Sequence, residues 1–272
     1  MVVFKLETIA GISMDYFIWN IEPIAISVGF LKVRWYGLMF ASAFISCYML
    51  MQWVYRREAK NPDDVDDLLW YMAISVIVGA RLGHCLFYNP EYYFAQPLKI
   101  FAIWEGGLAS HGGILGMTVG LYLFQRRVQE SYAWFLDRIS MVCALGGSFI
   151  RIGNFFNSEI VGVSTTVPWA IVFKRIDSYP RHPVQLYEAG AYLLVFVLLL
   201  SMYLKMKDSI RPGVIFATSL IAIFVSRFLL EFVKTKQAAY SGDWVISTGQ
   251  LLSIPFVLAG IFYIALPLFN KK

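Results

Sequence analysis

Between residues 35 and 55 the sequence carries no charged side chain, and long apolar runs with at most two charges return along its length. Further apolar segments cover residues 68–88, 106–125, 139–154, 184–204, 214–233 and 244–270. A helix needs about 20 apolar residues to cross a bilayer core, where every backbone polar group must be satisfied within the protein. These segments therefore predict an all-α polytopic membrane protein of about seven transmembrane helices. Composition agrees: 58% of the 272 residues are hydrophobic and 15% charged, against about 45–50% and 25% in soluble domains. A single transmembrane domain over residues 1–272 is the simplest organisation. The polar connection at roughly 155–181 is expected to form a small cap on the outer face.

Basic clusters set the expected orientation. Arg56-Arg57-Lys60, Arg126-Arg127, Lys205-Lys207-Arg211 and Lys271-Lys272 each follow an odd-numbered span. The positive-inside rule makes that side cytoplasmic and places the amino end outside. The net charge of +5 is thereby accounted for by lipid headgroups, and no nucleic-acid motif accompanies it. Cys47, Cys85 and Cys143 lie in apolar segments without close pairing, so neither a disulfide framework nor a zinc site is expected. Glu7 and Asp15 near the amino end break any basic-then-apolar pattern, so no cleaved signal peptide is expected.

With that orientation, spans two, four and six run outward. Their arginines Arg81, Arg151 and Arg227 each lie about 12–15 residues into the span, or roughly 18–22 Å. The first turns of the inward-running spans hold Tyr36, His111, Gln185 and Glu188 at similar depth. Arginine binds phosphate oxygens in pairs and stays charged, so such a cluster suits the phosphate of an anionic lipid. Each residue also has a plainer reading. Arg151 can snorkel to the headgroups. Arg227 and Glu231 stand four apart and can pair on one helix face. Arg81 can be structural. The glycines around His111 are ordinary devices for helix packing, while His111 itself is suited to proton transfer near neutral pH. His182 reads as a loop anchor. Three histidines without ligand spacing predict no metal site, and no cofactor is expected. No nucleophile elbow or phosphate loop is present, so a nucleophile would arrive on a substrate. A transporter for an anionic solute or lipid could use the same arginines, though it would be expected to show related halves and helices broken at mid-membrane.

Five motifs sharpen this picture: Trp35-Tyr36-Gly37; Gly106-Gly107 with His111-Gly112-Gly113; Arg151-Ile152-Gly153-Asn154-Phe155-Phe156-Asn157-Ser158-Glu159 with Gly162; Arg181-His182-Pro183-Val184-Gln185-Leu186-Tyr187-Glu188; and Arg227 with Glu231-Phe232. In these the chain resembles the bacterial phosphatidylglycerol–prolipoprotein diacylglyceryl transferases over nearly its whole length. The resemblance implies a seven-helix enzyme of the inner membrane with its active site toward the outer leaflet. It would transfer the diacylglyceryl group of phosphatidylglycerol to the lipobox cysteine in the signal-peptide region of a prolipoprotein, releasing glycerol 1-phosphate. Its partners are then phosphatidylglycerol, the prolipoprotein and membrane lipids. By the same resemblance Arg151 would hold the lipid headgroup, with Arg227 a second essential arginine and His111 the base. Tyr36, Asn154 and Gly162 would be further positions needed for activity, and Glu159 and Glu231 supporting carboxylates. The chain departs from many members at Ile150, where glycine is common, and at Lys234, where arginine is common. Its connection between Gly162 and Arg181 is short beside longer members.

Overall fold

Each of the seven apolar segments holds a long helix in the computed structural model, which describes residues 3–6, 14–29, 31–206, 209–235 and 246–269. Glu7, Lys207, Trp244, Lys271, Lys272 and residues 236–243 lie outside the described residues. In chain order the strands β1 (Val3–Leu6), β2 (Met14–Trp19), β3 (Ile24–Val28) and β4 (Leu31–Arg34) precede α1 (Trp35–Arg57) and α2 (Asp64–Phe87). The short surface helix α3 (Pro90–Ala95) leads to α4 (Ser110–Val128) and α5 (Tyr132–Asn157). Strands β5 (Ile171–Phe173) and β6 (Pro180–Arg181) then precede α6 (Val184–Met206), α7 (Val214–Leu230) and α8 (Thr248–Phe269).

Among the described residues six helices are long and apolar enough to cross a membrane. The exception among the seven is α4, whose 19 residues open on Ser110-His111-Gly112-Gly113 and close on Arg126-Arg127. The large apolar side chains left on the helix surfaces, such as Leu194, Leu258 and Phe262, are exposed as a lipid solvent requires. The chain is a multi-pass membrane protein, mostly helical as expected, with a small sheet added.

The chain divides into two compact units. One covers residues 50–136 and is built on α2 and α4. Lipid tails are as apolar as leucine, so membrane helices associate by close backbone contact at small residues. Here a Cβ on Gly112 would lie 2.2 Å from the Gly79 carbonyl, and one on Gly116 would lie 2.0 Å from that of Ser75. Beside this contact runs an apolar groove of about 1050 Å³, from Trp70 and Tyr71 to Tyr88 and His111. Arg81 is 3% exposed. Its guanidinium donates to the carbonyls of Lys99 (2.5 Å), Ile100 (2.8 Å), Gly106 and Gly107 (3.3 Å). Its carbon also stands 5.1 Å from the centre of the Tyr93 ring. Arg81 thus anchors the 97–107 segment, and the structural reading holds for it.

The other unit, residues 1–49 and 137–272, holds most of α1 and α5, all of α6, α7 and α8, and the strands. Strand β1 pairs antiparallel with β2, β2 runs parallel to β5, and β5 pairs antiparallel with β6. Strands β3 and β4 form a separate hairpin. Residues 161–165 extend the larger sheet. His182 N–H donates to the Val163 carbonyl (3.1 Å) on one side, and Val163 N–H donates to the Val233 carbonyl (2.9 Å) on the other. Trp19, Phe155, Val161, Ile171 and Phe173 form the core beneath the sheet. Trp35 stacks on Phe156 with ring centres 4.9 Å apart. The two phenylalanines after Asn154 therefore plug the end of α5 into the cap. At the far end of α5, Asp137 is 2% exposed and accepts from the N–H groups of Gly213 and Phe216, each at 2.8 Å. It supplies the N-terminal cap that α7 lacks in its own sequence.

Candidate active site

Helix α5 carries Arg151 and Asn154 one turn apart on the same face, because residues spaced by three are neighbours on a helix. Its end is sharp. Ser158 (φ 56°) and Ile160 (φ 57°) adopt left-handed backbone, a conformation that costs about 1–3 kcal/mol for residues other than glycine. Glu159 N–H turns back to the Asn154 carbonyl at 2.9 Å. This turn brings the Glu159 carboxylate under two amides, accepting from Asn154 Nδ2 and Asn157 Nδ2 at 3.1 Å each. Gln185, fully buried, donates to the Glu159 carbonyl at 2.6 Å and locks the turn to the first turn of α6.

Arg151 lies at the centre of this arrangement. Its Nε stands 2.9 Å from Glu188 Oε2, and one terminal nitrogen donates to Asn154 Oδ1 at 3.2 Å. Its other terminal nitrogen has no partner among the described residues. Glu188 is 3% exposed, and its second oxygen faces Lys234 Nζ at 3.2 Å. An ionised group removed from water is stable only when paired, so the three side chains are mutually dependent.

Gly162 and Tyr36 complete this side of the site. Gly162 donates to the His182 carbonyl at 3.0 Å and is bridged on its other edge to Lys234. A Cβ there would lie 2.5 Å from the His182 carbonyl oxygen, which explains glycine by space alone. Arg181 donates to the Gly162 carbonyl at 3.0 Å and is itself held by Asp177. The Arg181 guanidinium holds the Asp177 carboxyl below its usual range. His182 serves as the loop anchor the sequence suggested, its ring 3.2 Å from the Tyr187 hydroxyl. Tyr36, on the first turn of α1, packs its ring on the backbone of Gly153, where a Cβ would come within 3.0 Å.

Arg227 and Glu231 lie at the end of α7, but they do not form the i,i+4 pair. Glu231 Oε1 instead accepts from Ser247 at 3.1 Å and packs against Gly249 at the start of α8. The Arg227 guanidinium has no ion pair among the described residues. His111 belongs to the 50–136 unit. It is exposed on the first turn of α4 at one end of the groove, with no hydrogen bond among the described residues. Among the described residues no group of His, Cys, Asp and Glu could hold a metal ion.

Two participants escaped the sequence reading. The sequence places Glu188 at the depth of the cluster and in the Arg181–Glu188 motif, and Lys234 as a departure from arginine, but gives neither a role. The signal that could have joined them is cost: a carboxylate near the start of one apolar segment and an ammonium just past the end of another each need a counter-charge.

The profile of the prolipoprotein diacylglyceryl transferase family matches residues 23–266. The chain belongs to this family. It is 51% identical over 244 residues to the phosphatidylglycerol–prolipoprotein diacylglyceryl transferase of Tolumonas auensis, covering 89% of this chain and 94% of that one. With the protein of the same name from Chloroherpeton thalassium the identity is 47% over 251 residues, covering 92% and 94%. With that of Bacteroides fragilis it is 38% over 258 residues, covering 90% and 93%. The matched residues 23–266 span both units of the fold, including every residue of the Arg151 arrangement.

Proposed function

We infer that this diacylglyceryl transferase family member moves the diacylglyceryl group of phosphatidylglycerol onto a prolipoprotein, the first step of lipoprotein maturation. The acceptor is the thiol of the lipobox cysteine. Its sulfur attacks glycerol C3 of the diacylglyceryl group and the C3–O bond to phosphate breaks. The bonding pair leaves with the phosphate as glycerol 1-phosphate, and the thiol proton passes to a base. Thiolate is the reactive form of cysteine and its ordinary pKa is about 8.5, so a nearby base or cation assists.

The observation that carries this reading is the Arg151 guanidinium, fixed on one edge by Glu188 and Asn154 and open at its remaining nitrogen. Such a preorganised donor stabilises charge developing on a leaving phosphate. Arg227, which has no ion pair among the described residues, supplies a second cation. His111 accepts the thiol proton. Asn154, Glu159 and Gly162 hold Arg151 and its turn in place. Glu231 fixes the end of α7 that carries Arg227, and Tyr36 fixes Gly153. The site faces the outer leaflet of the bacterial inner membrane. Supporting this, Arg56-Arg57, Arg126-Arg127 and Lys205 close α1, α4 and α6, whereas Arg151 and Glu188 lie near the opposite ends of their spans. The transport reading called for broken spans, and α1, α5, α6 and α8 each run as a continuous helix.

The test is a transfer assay with purified protein, phosphatidylglycerol and a lipobox peptide. Thioether-linked peptide and glycerol phosphate should form in equal amounts, and a peptide with serine in place of the cysteine should give neither. Lipid binding without thioether formation would point to another acceptor. His111→Gln with normal turnover and an unchanged pH profile would remove the histidine from the role of base.

A further inference from the structure

Glu188 lies between two cations. One oxygen is 2.9 Å from Arg151 Nε and the other 3.2 Å from Lys234 Nζ. The carboxylate and the ammonium are both buried. They reach this place from different elements, Glu188 from the second turn of α6 and Lys234 from the strand segment bridged to Gly162. Two consequences follow from this geometry. Glu188 forms an ion pair on the Nε edge of Arg151, and the terminal nitrogen that Asn154 does not hold is left without a partner among the described residues. The trio also holds two positive charges against one negative, an excess of one, which matches the single charge of a phosphodiester. Without Lys234 the pair of Arg151 and Glu188 would be neutral, and the arginine would lose its electrostatic pull on an anion.

We propose that Glu188 and Lys234 are positioning residues that act through Arg151. Glu188 sets the direction of the guanidinium, and Lys234 offsets Glu188 so that the charge of Arg151 stays available to a phosphodiester headgroup. This rests on the reading of Arg151 as the headgroup site. It further assigns lipid affinity to Lys234 and catalytic alignment to Glu188.

The experiment compares the full-length protein in detergent with Lys234→Met, Lys234→Arg, Glu188→Gln and the double variant Glu188→Gln/Lys234→Met. Binding of phosphatidylglycerol and of diacylglycerol, which carries no phosphate, is measured beside kcat and KM for transfer to a lipobox peptide. Lys234→Met should weaken phosphatidylglycerol binding and raise its KM about tenfold, with a much smaller fall in kcat and no change toward diacylglycerol. Lys234→Arg should restore both. Glu188→Gln, which adds a net positive charge, should bind phosphatidylglycerol at least as tightly as the parent while kcat falls about 10²-fold from misalignment. The double variant should recover the affinity but not kcat. Equal losses of affinity and kcat in both single variants would overturn the proposal, as would a double variant that binds no better than Lys234→Met. If Glu188→Gln does not fold, the contrast between Lys234→Met and Lys234→Arg still decides the charge assignment. If the parent protein binds phosphatidylglycerol but transfers nothing, the transferase reading fails, and the binding series still tests the pair.

Discussion

Replacing Gly162 by alanine tests whether the strand beneath the site is as tightly fitted as its contacts indicate. The new Cβ would stand 2.5 Å from the His182 carbonyl oxygen, 2.6 Å from its Cβ and 2.7 Å from Val184 Cγ2. The nearest atom is backbone, so no side chain can swing aside. The strand must move by roughly 1 Å to reach ordinary contact distance. Overpacking of this kind costs about 1–3 kcal/mol, and losing the Gly162–His182 hydrogen bond adds about 1 kcal/mol. The same strand is bridged to Lys234, whose ammonium faces Glu188. The displacement therefore passes to Arg151, and a 1 Å error at a reacting group costs about 10²-fold in rate. The variant should show a lowered unfolding midpoint in detergent and kcat/KM for transfer reduced about 10²-fold. An alanine variant with parental kcat/KM and parental midpoint would refute the argument.

Other positions separate stability from chemistry. Asp137→Ala leaves two N–H groups of α7 without an acceptor and should cost about 2–3 kcal/mol. The transfer rate per folded molecule should stay at the parental value, because Asp137 lies about 21 Å along α5 from Arg151. Asp177→Asn should destabilise the cap at neutral pH by under about 1 kcal/mol, since the pair is partly solvated. Because Arg181 lowers the folded-state pKa of Asp177, its stabilisation is fully present above the unfolded value of about 3.9. It disappears as the pH falls through the lower folded value, so denaturation curves of parent and variant should converge in strong acid. Gly116→Leu would drive a side chain into the Ser75 carbonyl, where even a Cβ lies at 2.0 Å. Proteolysis should then cut the 50–136 region of the variant far faster than that of the parent.

The helices were legible because membrane burial leaves a simple one-dimensional mark, a long run without charge. Their ends moved by a few residues: α5 begins at Tyr132 rather than Ile139, and α7 stops helical winding at Leu230 before a 3-10 turn. The sheet was not legible. Strand β2 pairs with β5, Phe17 opposite Ile171, and no local pattern announces pairing over such a separation. Arg151 stood out in the sequence because a charge inside an apolar run needs a reason. What the reason was depended on Glu188 and Lys234, which come from two other elements. Arg81 shows the reverse. It carried the same mark as Arg151, yet its charge is spent on loop carbonyls, and only the fold distinguishes the two.

The most direct measurement is the rate of diacylglyceryl transfer from phosphatidylglycerol to a lipobox peptide by the parent protein and by Arg151→Ala, under saturating peptide. If the guanidinium held by Glu188 and Asn154 receives the phosphate, the variant should fold like the parent and lose at least about 10²-fold in kcat/KM. A folded Arg151→Ala protein that transfers within a few-fold of the parent rate would contradict the account.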